Sequence, residues 1–402
     1  MSKVIVGMSG GVDSSVAVYL LKEHGYDVEG LSFILWEARG RTDFKTCCSL
    51  QAVEEAAKTT KYIGVPHSSI DVRDDFIEKV IEPFVDVYTK GITPNPCILC
   101  NRFIKFPFLM KEAEKRGAEY IATGHYARVE KSQKSEVRSQ KLKDKNYSLF
   151  TIHYSLLKGI DPRKDQSYVL YMLREEEIER LILPLGYYRK DEVRKIAQEL
   201  NLPAAKRPES QEICFIEDRN YFKFIEMLSP IAGNPGPIID ITGRVIGTHK
   251  GIYGYTIGQR KGLGISSPEP LYVVKIDALK NAIYVGPQEA AKKKEFFVED
   301  LNWLSREGGH FRASVKVRSM MEDEPATIFL VRSQKSEVST STLTLPPRGG
   351  GQGWRENSSP VTRHQSLMKV RVVFDKPQWA PAPGQSAVFY DGDIVIGGGV
   401  IV

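Results

Sequence analysis

Two rhythms of apolar and polar positions divide the chain. Up to residue 125, short apolar runs alternate with stretches of helical period. Val4-Ile5-Val6-Gly7-Met8 predicts a buried strand, followed by a glycine turn and a helix over 14–24. Residues 28–35 form a second apolar run. Residues 48–61 mix alanines and charges in a helical pattern, 67–70 are strand-like, and 74–87 and 101–116 have helical periodicity. Tyr120-Ile121-Ala122-Thr123 closes as a strand. Strands separated by helices of this length predict an α/β fold built on a doubly wound parallel sheet. Further helical signals lie at 166–173 and 189–200.

Beyond residue 215 the rhythm changes. Glycine and proline become dense, from Gly233-Asn234-Pro235-Gly236-Pro237 to Gly264. Short β-rich runs follow at 271–276, 282–285, 313–317, 326–331, 370–374 and 387–390. Turn signals at this spacing predict a small β-barrel. The expected organisation is a catalytic α/β domain over 1–216, a small central α+β domain over 217–275 and a C-terminal β-barrel over 276–402. Two segments break the pattern. Ser132-Gln133-Lys134-Ser135-Glu136-Val137 recurs as Ser333-Gln334-Lys335-Ser336-Glu337-Val338. Each copy falls where a hairpin turn would otherwise lie, so 131–145 and 332–364 read as inserted surface loops. Such loops are tolerated because closure entropy rises slowly with length.

The insertions change what the charge means. The formal net charge is +6, but 131–145 hold six Lys/Arg against two acids (+4) and 332–364 hold five against two (+3), which leaves the rest near −1. Bulk basicity is therefore no argument for nucleic-acid binding. Hydrophobic residues make up 42% of the 402, enough for a sizeable core. No apolar run reaches the ~18–20 residues of a membrane span. The opening residues lack a signal-peptide pattern, so the expectation is a cytoplasmic protein without a membrane partner. Cys47, Cys48, Cys97, Cys100 and Cys214 are too few and odd in number for a disulfide scaffold.

Candidate chemistry begins at Ser9-Gly10-Gly11-Val12-Asp13-Ser14-Ser15, between the first strand and its helix. Glycines let backbone approach a polyphosphate without a Cβ clash. Amides at the helix start point at the anion with the helix dipole behind them. The serines add hydroxyl donors, and Asp13 is suited to hold Mg²⁺ or orient pyrophosphate. No lysine follows the glycines, so this is not a Walker A loop. Nor is it the dinucleotide G-x-G-x-x-G. The string resembles the pyrophosphate loop of the N-type ATP pyrophosphatases, which split ATP to AMP and pyrophosphate and leave an adenylate on the substrate.

Cys97 and Cys100 form a C-x-x-C inside Thr93-Pro94-Asn95-Pro96-Cys97-Ile98-Leu99-Cys100-Asn101. The helical pattern beginning near Asn101 places Cys100 at a helix N-terminus, where a thiol pKa falls. Cys214 lies at the border of the first domain, in Ser210-Gln211-Glu212-Ile213-Cys214-Phe215-Ile216. Three readings stand at this point. Zinc wants about four ligands, and a second C-x-x-C is missing. An iron–sulfur cluster on three cysteines needs a borrowed ligand. A sulfur-transfer pair needs one cysteine to carry a persulfide and another to resolve it, and combined with an adenylating loop this is the best motivated. Cys47-Cys48 reads as ordinary packing.

Taken together, Gly7–Ser14, Thr93–Asn101, Ala122-Thr123-Gly124-His125-Tyr126-Ala127, Lys164-Asp165-Gln166-Ser167-Tyr168, the Cys214 string, residues 247–264 and Pro383-Gly384-Gln385 resemble the bacterial-type tRNA-specific 2-thiouridylases of the MnmA family across nearly the whole chain. The resemblance implies ATP binding by Gly7, Met8, Ser9, Gly10, Gly11, Val12, Asp13 and Ser14, with Leu35 and Gly124 flanking the adenine and Mg²⁺ accompanying the nucleotide. It implies Cys100 as nucleophile and Cys214 as persulfide carrier, finishing as a disulfide. Asn95, Pro96 and Cys97 would face the target base. His125, Lys164, Asp165, Gln166, Arg318, Ser319 and Gln385 would contact tRNA at its anticodon stem-loop. A sulfur-relay protein would load Cys214, and the segment carrying it would move when tRNA binds. The implied reaction is 2-thiolation of the wobble uridine, with no resident metal. Cys97 departs from family members that carry Asp there, and Leu35 replaces a common Met, a volume-conserving swap. On the residues alone, Asp165 and Gln166 also read as caps of the following helix, and His125 as a packing residue.

Overall fold

The computed structural model describes residues 1–36, 50–135, 150–207, 213–216, 221–229, 233–305, 309–332 and 368–402. Cys47, Cys48 and most of the two repeat-bearing segments lie outside these residues.

Strands Lys3–Met8 (β1), Asp27–Ile34 (β2), His67–Asp71 (β3) and Tyr120–Thr123 (β4) run parallel in the order β3-β2-β1-β4. Val4, Ile5 and Val6 are fully buried, because β1 is central and covered on both faces. Ile5 packs with Leu31, Leu109 and Ile121 on one side. Val4, Val6 and Met8 pack on the other with Val18, Leu21 and Ala56, contributed by helices Val12–Glu23 (α1) and Leu50–Ile63 (α2). This is the doubly wound arrangement that the apolar runs predict.

The two helical stretches after β3 carry a feature the periodicity does not show. Each contains a π-helical turn, Ile77–Ile81 and Asn101–Lys105. Each π turn ends two residues before a proline, Pro83 or Pro107. A proline ring clashes with the carbonyl four residues back and offers no N–H, and a widened turn relieves both problems. The second helix begins at Pro96 rather than Asn101, so it is Cys97 that sits in its first turn and Cys100 one turn further in. The residues over 166–173 are not a helix; they form a single 3₁₀ turn, Ser167–Val169, pinned by bonds described below.

A hairpin of Ala127–Ser135 (β5) and Phe150–Lys158 (β6) pairs in continuous register from Ala127↔Lys158 to Ser135↔Phe150. The expected insertion at 131 therefore begins as strand. Leu181–Ile182 (β7) then joins β4 in parallel. The second unit is a four-stranded sheet of Gly236–Asp240 (β8), Val245–His249 (β9), Tyr272–Asp277 (β10) and Ala282–Gly286 (β11). Strands β10 and β11 are an antiparallel pair, so the expected boundary after 275 falls inside a hairpin, and the unit extends to Gly286. The third comprises Lys292–Trp303 (β12), His310–Lys316 (β13), Glu324–Arg332 (β14), Met368–Trp379 (β15), Ser386–Asp391 (β16) and Ile394–Ile401 (β17). Their order is β12-β15-β14-β13-β16-β17, and β12 also pairs with β17, which closes the barrel and removes its edges. The core is the inward face: Phe296, Val298, Val315, Ile328, Val372, Phe389 and Ile396. Among the described residues, no helix is long and apolar enough to cross a membrane.

Barrel and nucleotide-type domain are joined by buried polar groups. Hairpin strand β6 meets β17 at Leu157↔Ile394. Tyr168 Oη donates to Ser386 O at 2.8 Å, Tyr171 Oη lies 3.1 Å from Ser386 Oγ, and Ser167 Oγ lies 3.1 Å from Tyr390 Oη. Asp165 accepts from the Gly159 and Ser167 amides, and its Oδ2 lies 3.5 Å from Lys316 Nζ, both residues being buried. Burial drives the Tyr171 phenol up to about 12 and raises those of Tyr168 and Tyr390 well above their ordinary value, so all three act as neutral hydrogen-bonding groups. Removing one partner of a buried ion pair leaves the other charge uncompensated, at about 3 kcal/mol. Lys316→Met should lower stability by about that amount, read as a shifted urea midpoint.

Candidate active site

The glycine turn is shaped by what surrounds it. Gly10 has φ +71°, and a Cβ there would meet the Ala52 carbonyl oxygen at 2.3 Å; both conditions require glycine. Gly11 caps α1 without offering a side-chain acceptor, so the amides of the first turn are left for a ligand. Ser14 and Ser15 turn inward instead, donating to the Gly11 carbonyl at 3.2 and 2.8 Å, and Ser9 N–H donates to Ser14 Oγ. Ser9 is exposed and Ser14 buried. Gly124 follows β4 directly under the turn, where a Cβ would lie 2.8 Å from the Ser14 nitrogen. Gly7 sits similarly against Leu109 and Thr123. Met8, Val12 and Leu35 are buried in the surrounding core.

Asp13 is engaged from one side. Its Oδ1 accepts from Lys190 Nζ at 2.6 Å and from Tyr126 Oη at 2.7 Å. Its side chain is 36% exposed, so one edge of the carboxylate faces solvent beside the turn. Neither Lys190 nor Tyr126 was singled out for this role by the sequence reading. Lys190 opens the helix Lys190–Glu199, 177 residues from its partner, and only the fold brings them together. Arg207 was also missed; its Nη1 donates to the Gly10 carbonyl at 2.8 Å. Among the described residues, no group of three or more His, Cys, Asp and Glu could hold a metal ion.

The cysteine loop is held from three directions. Asn95 caps its helix, Oδ1 accepting from Cys97 N–H at 3.1 Å, and Pro96 occupies the first helical position, where its missing N–H costs nothing. Cys97 is exposed and Cys100 buried. From the barrel, Gln385 Nε2 donates to the Thr93 carbonyl at 2.9 Å, and Thr93 N–H donates to Pro383 O at 3.0 Å. From the central unit, Thr256 Oγ1 lies 3.4 Å from Thr93 Oγ1. Cys100 belongs to a large core that runs from the first domain to Tyr253 and to Val388 and Tyr390 of the barrel, and half-buried Cys214 packs against that same core beside Phe215. Phe215 in turn meets Phe76, Phe84 and Phe224 edge-on or tilted at 5.3–5.6 Å.

The structure sorts the residues expected at the RNA. Asn95, Pro96 and Cys97 share one loop with Cys100, and Gln385 is bonded to that loop. His125 follows Gly124, hydrogen-bonded to Thr123 Oγ1 at 2.7 Å and stacked on Phe106. Asp165 and Gln166 serve the fold: Gln166 exchanges bonds with the Tyr126 backbone at 2.8 and 2.9 Å. Lys164 is half-buried beside them. Arg318 Nη2 donates to the Ile257 and Ala380 carbonyls, and burial lowers its pKa. It bridges central unit and barrel, with neighbouring Ser319 half-buried. Arg260 and Lys261 are exposed, and Arg260 lines an open groove of about 430 Å³ with Leu263, Ile265 and Leu271.

Residues 2–218 match the tRNA methyl transferase HUP domain family, 223–287 the tRNA methyl transferase PRC-barrel domain and 354–401 the aminomethyltransferase β-barrel domain. The tRNA-specific 2-thiouridylase MnmA 2 of Thermoanaerobacter sp. (strain X514) is 43% identical over 405 residues, covering 100% of this chain and 98% of its own. This chain belongs to the MnmA family of tRNA-specific 2-thiouridylases. The relative from Clostridioides difficile (strain 630) is 40% identical, covering 99% of this chain and 98% of its own. Among solved structures, a 4-thiouridine synthetase in complex with RNA and bound ATP matches at a TM-score of 0.34 and 19% identity, covering 57% of this chain and 50% of that one.

Two predictions follow from the geometry. Gly10→Ala forces a Cβ into the Ala52 carbonyl at a positive φ, so nucleotide binding measured by calorimetry should be lost. Burial, with the Lys105 ammonium adding to it, holds the His125 pKa down at about 3, against an ordinary value of 6.5. A depressed histidine contributes stability above its unfolded pKa, and that contribution is lost as pH falls through 6.5 towards 3. His125→Asn should therefore flatten the acid limb of the stability–pH curve in that window, on a plateau lowered by loss of the Phe106 stacking.

Proposed function

We propose that this protein thiolates uridine in tRNA at the C2 position of the wobble base, using ATP and a cysteine-borne persulfide. The observation that carries the reading is the placement of Cys214. It packs on the core that holds Cys100, and the residues leading to it start at Arg207, which is bonded to the phosphate loop. From Arg207 to Ile213 the chain spans six Cα steps, at most about 20 Å. That reach and the common core support a shared neighbourhood for the phosphate loop and the two thiols, which lie 114 positions apart in sequence.

The chemistry follows from that neighbourhood. A uracil C2 carbonyl is a poor electrophile with an impossible leaving group. Attack of its oxygen on the α-phosphorus of ATP expels pyrophosphate and leaves an O-adenylate, so AMP becomes the leaving group. The first-turn amides of α1 face the phosphates, and Mg²⁺ held at Asp13 would neutralise charge on the departing pyrophosphate. A persulfide on Cys214, loaded by a sulfur-relay protein, delivers sulfur to C2. Its terminal sulfur attacks directly, or leaves as hydrosulfide when Cys100 attacks the persulfide. AMP departs, and Cys100 and Cys214 end as a disulfide that an external thiol reduces.

Exposed Cys97 on the capped loop supports docking of the target base, which must leave the anticodon stack to reach the thiols. The groove at Arg260 and Lys261 supports a grip on the RNA backbone. Cytoplasm is the compartment in which these reactive thiols stay reduced.

Replacing a thiol separates the two halves of the reaction. Cys100→Ser and Cys214→Ser should each abolish 2-thiouridine, read by nucleoside mass spectrometry, while tRNA-dependent release of pyrophosphate from ATP continues. Retained thiolation in either variant would defeat the proposal.

A further inference from the structure

The phosphate loop carries no lysine, yet two cations reach it from distant sequence. Lys190 is one, and its charge is matched by Asp13 at 2.6 Å. Arg207 is the other, and its setting differs. It is half-buried, it donates through Nη1 to the Gly10 carbonyl at 2.8 Å, and among the described residues its guanidinium has no carboxylate partner. A guanidinium is a planar fork of five donors, and one bond to a carbonyl leaves most of the fork unused. Partial burial of an unmatched charge is unfavourable unless an anion completes it. Its Nη1 also lies 2.9 Å from the position a Cβ on Gly10 would take, so the group sits at the turn itself, beside the amides of α1.

We propose that Arg207 is a ligand of the pyrophosphate end of ATP, supplying from a distant part of the same chain the cation that the glycine turn lacks. The proposal rests on the reading of Gly7–Ser14 as an ATP site. The fork suits two phosphate oxygens at once, a geometry an ammonium does not match. Arg207 also begins the stretch that leads to Cys214, so a bound polyphosphate holds the start of the sulfur-carrying segment against the loop.

The test is calorimetry on the full-length protein with α,β-methylene-ATP, inorganic pyrophosphate and AMP, comparing the parent with Arg207→Met and Arg207→Lys. The expected result is a loss of about tenfold or more for the ATP analogue and pyrophosphate in Arg207→Met, as for removal of a charge-assisted hydrogen bond. AMP affinity should stay within about twofold in the same variant, and Arg207→Lys should recover part of the loss. Unchanged affinity for the ATP analogue and pyrophosphate in Arg207→Met would overturn the proposal. Equal weakening of all three ligands in both variants would also overturn it, because that pattern belongs to a residue that only shapes the turn. Arg207→Lys keeps the charge and decides the matter if Arg207→Met does not fold. A parent protein that binds neither the ATP analogue nor pyrophosphate would instead remove the ATP reading itself.

Discussion

An anion-binding turn must be rigid from behind and uncommitted in front. That constraint organises the first domain. The Ala52 carbonyl closes on Gly10, and the chain at Gly124 presses on the Ser14 amide. Ser14 and Ser15 hydroxyls tie down the Gly11 carbonyl. The Ala52 and serine contacts act on the rear of the turn and on its carbonyls, and Gly124, having no Cβ, leaves room at the Ser14 amide. The amides of the first helical turn have no side-chain cap, so their field is directed outward. Most helices gain stability from an N-cap side chain, typically about 1 kcal/mol. Here glycine forgoes it, and the packing of α1 through Val16, Ala17 and Leu20 sustains the helix instead.

The same logic extends to the cysteine loop, which the first domain does not immobilise alone. Thr93 is bonded by Pro383 and Gln385 of the barrel and approached by Thr256 of the central unit. A Cβ on Gly91 would strike Ile276, and one on Gly384 would strike Ile92. Three units converge within a few residues of Cys97. The barrel is fixed for this purpose by the buried seam at Tyr168, Tyr171, Ser386 and Lys316. Such a seam is satisfied group by group, and a half-satisfied polar network is worse than an apolar one. The later domains therefore hold the cysteine loop in place as much as they form folded units of their own.

Much of this was legible in the sequence, and the rest was hidden for definite reasons. The parallel strands and the glycine turn are local patterns, and they fell where the apolar runs placed them. Barrel strands β12 and β17 escaped notice. Strand β12 opens on three lysines, and β17 carries Gly397-Gly398-Gly399, whose lack of Cβ atoms lets Glu299 and Ala387 carbonyls and Tyr171 approach. Residues 166–173 have helical apolar spacing because Tyr168, Leu170, Tyr171 and Leu173 are all buried, but bonds to Asp165, Tyr390 and Ser386 hold them in a short turn. The Asn95 cap and Pro96 start the helix five residues before the apolar pattern does, so the residue in the helix's first turn is Cys97. At the site, the glycine string and the cysteines were readable, whereas Lys190, Tyr126 and Arg207 are neighbours only in space.

Charge balance explains why an acidic residue can stand in the first turn beside a polyphosphate site. At 4 Å, two unit charges in a partly exposed setting interact by about 4 kcal/mol, so a lone Asp13 would oppose phosphate binding. Lys190 and the Tyr126 hydroxyl meet its Oδ1 at 2.6 and 2.7 Å, and the Lys190 ammonium also lies 5.5 Å from the Tyr126 ring centre. The pair is close to neutral at a distance, yet it leaves the Asp13 carboxylate partly exposed. The turn can then carry a carboxylate without surrendering the positive field of its helix. That combination needs the lysine to come from elsewhere in the chain, because one placed within the turn would compete for the phosphate rather than for Asp13.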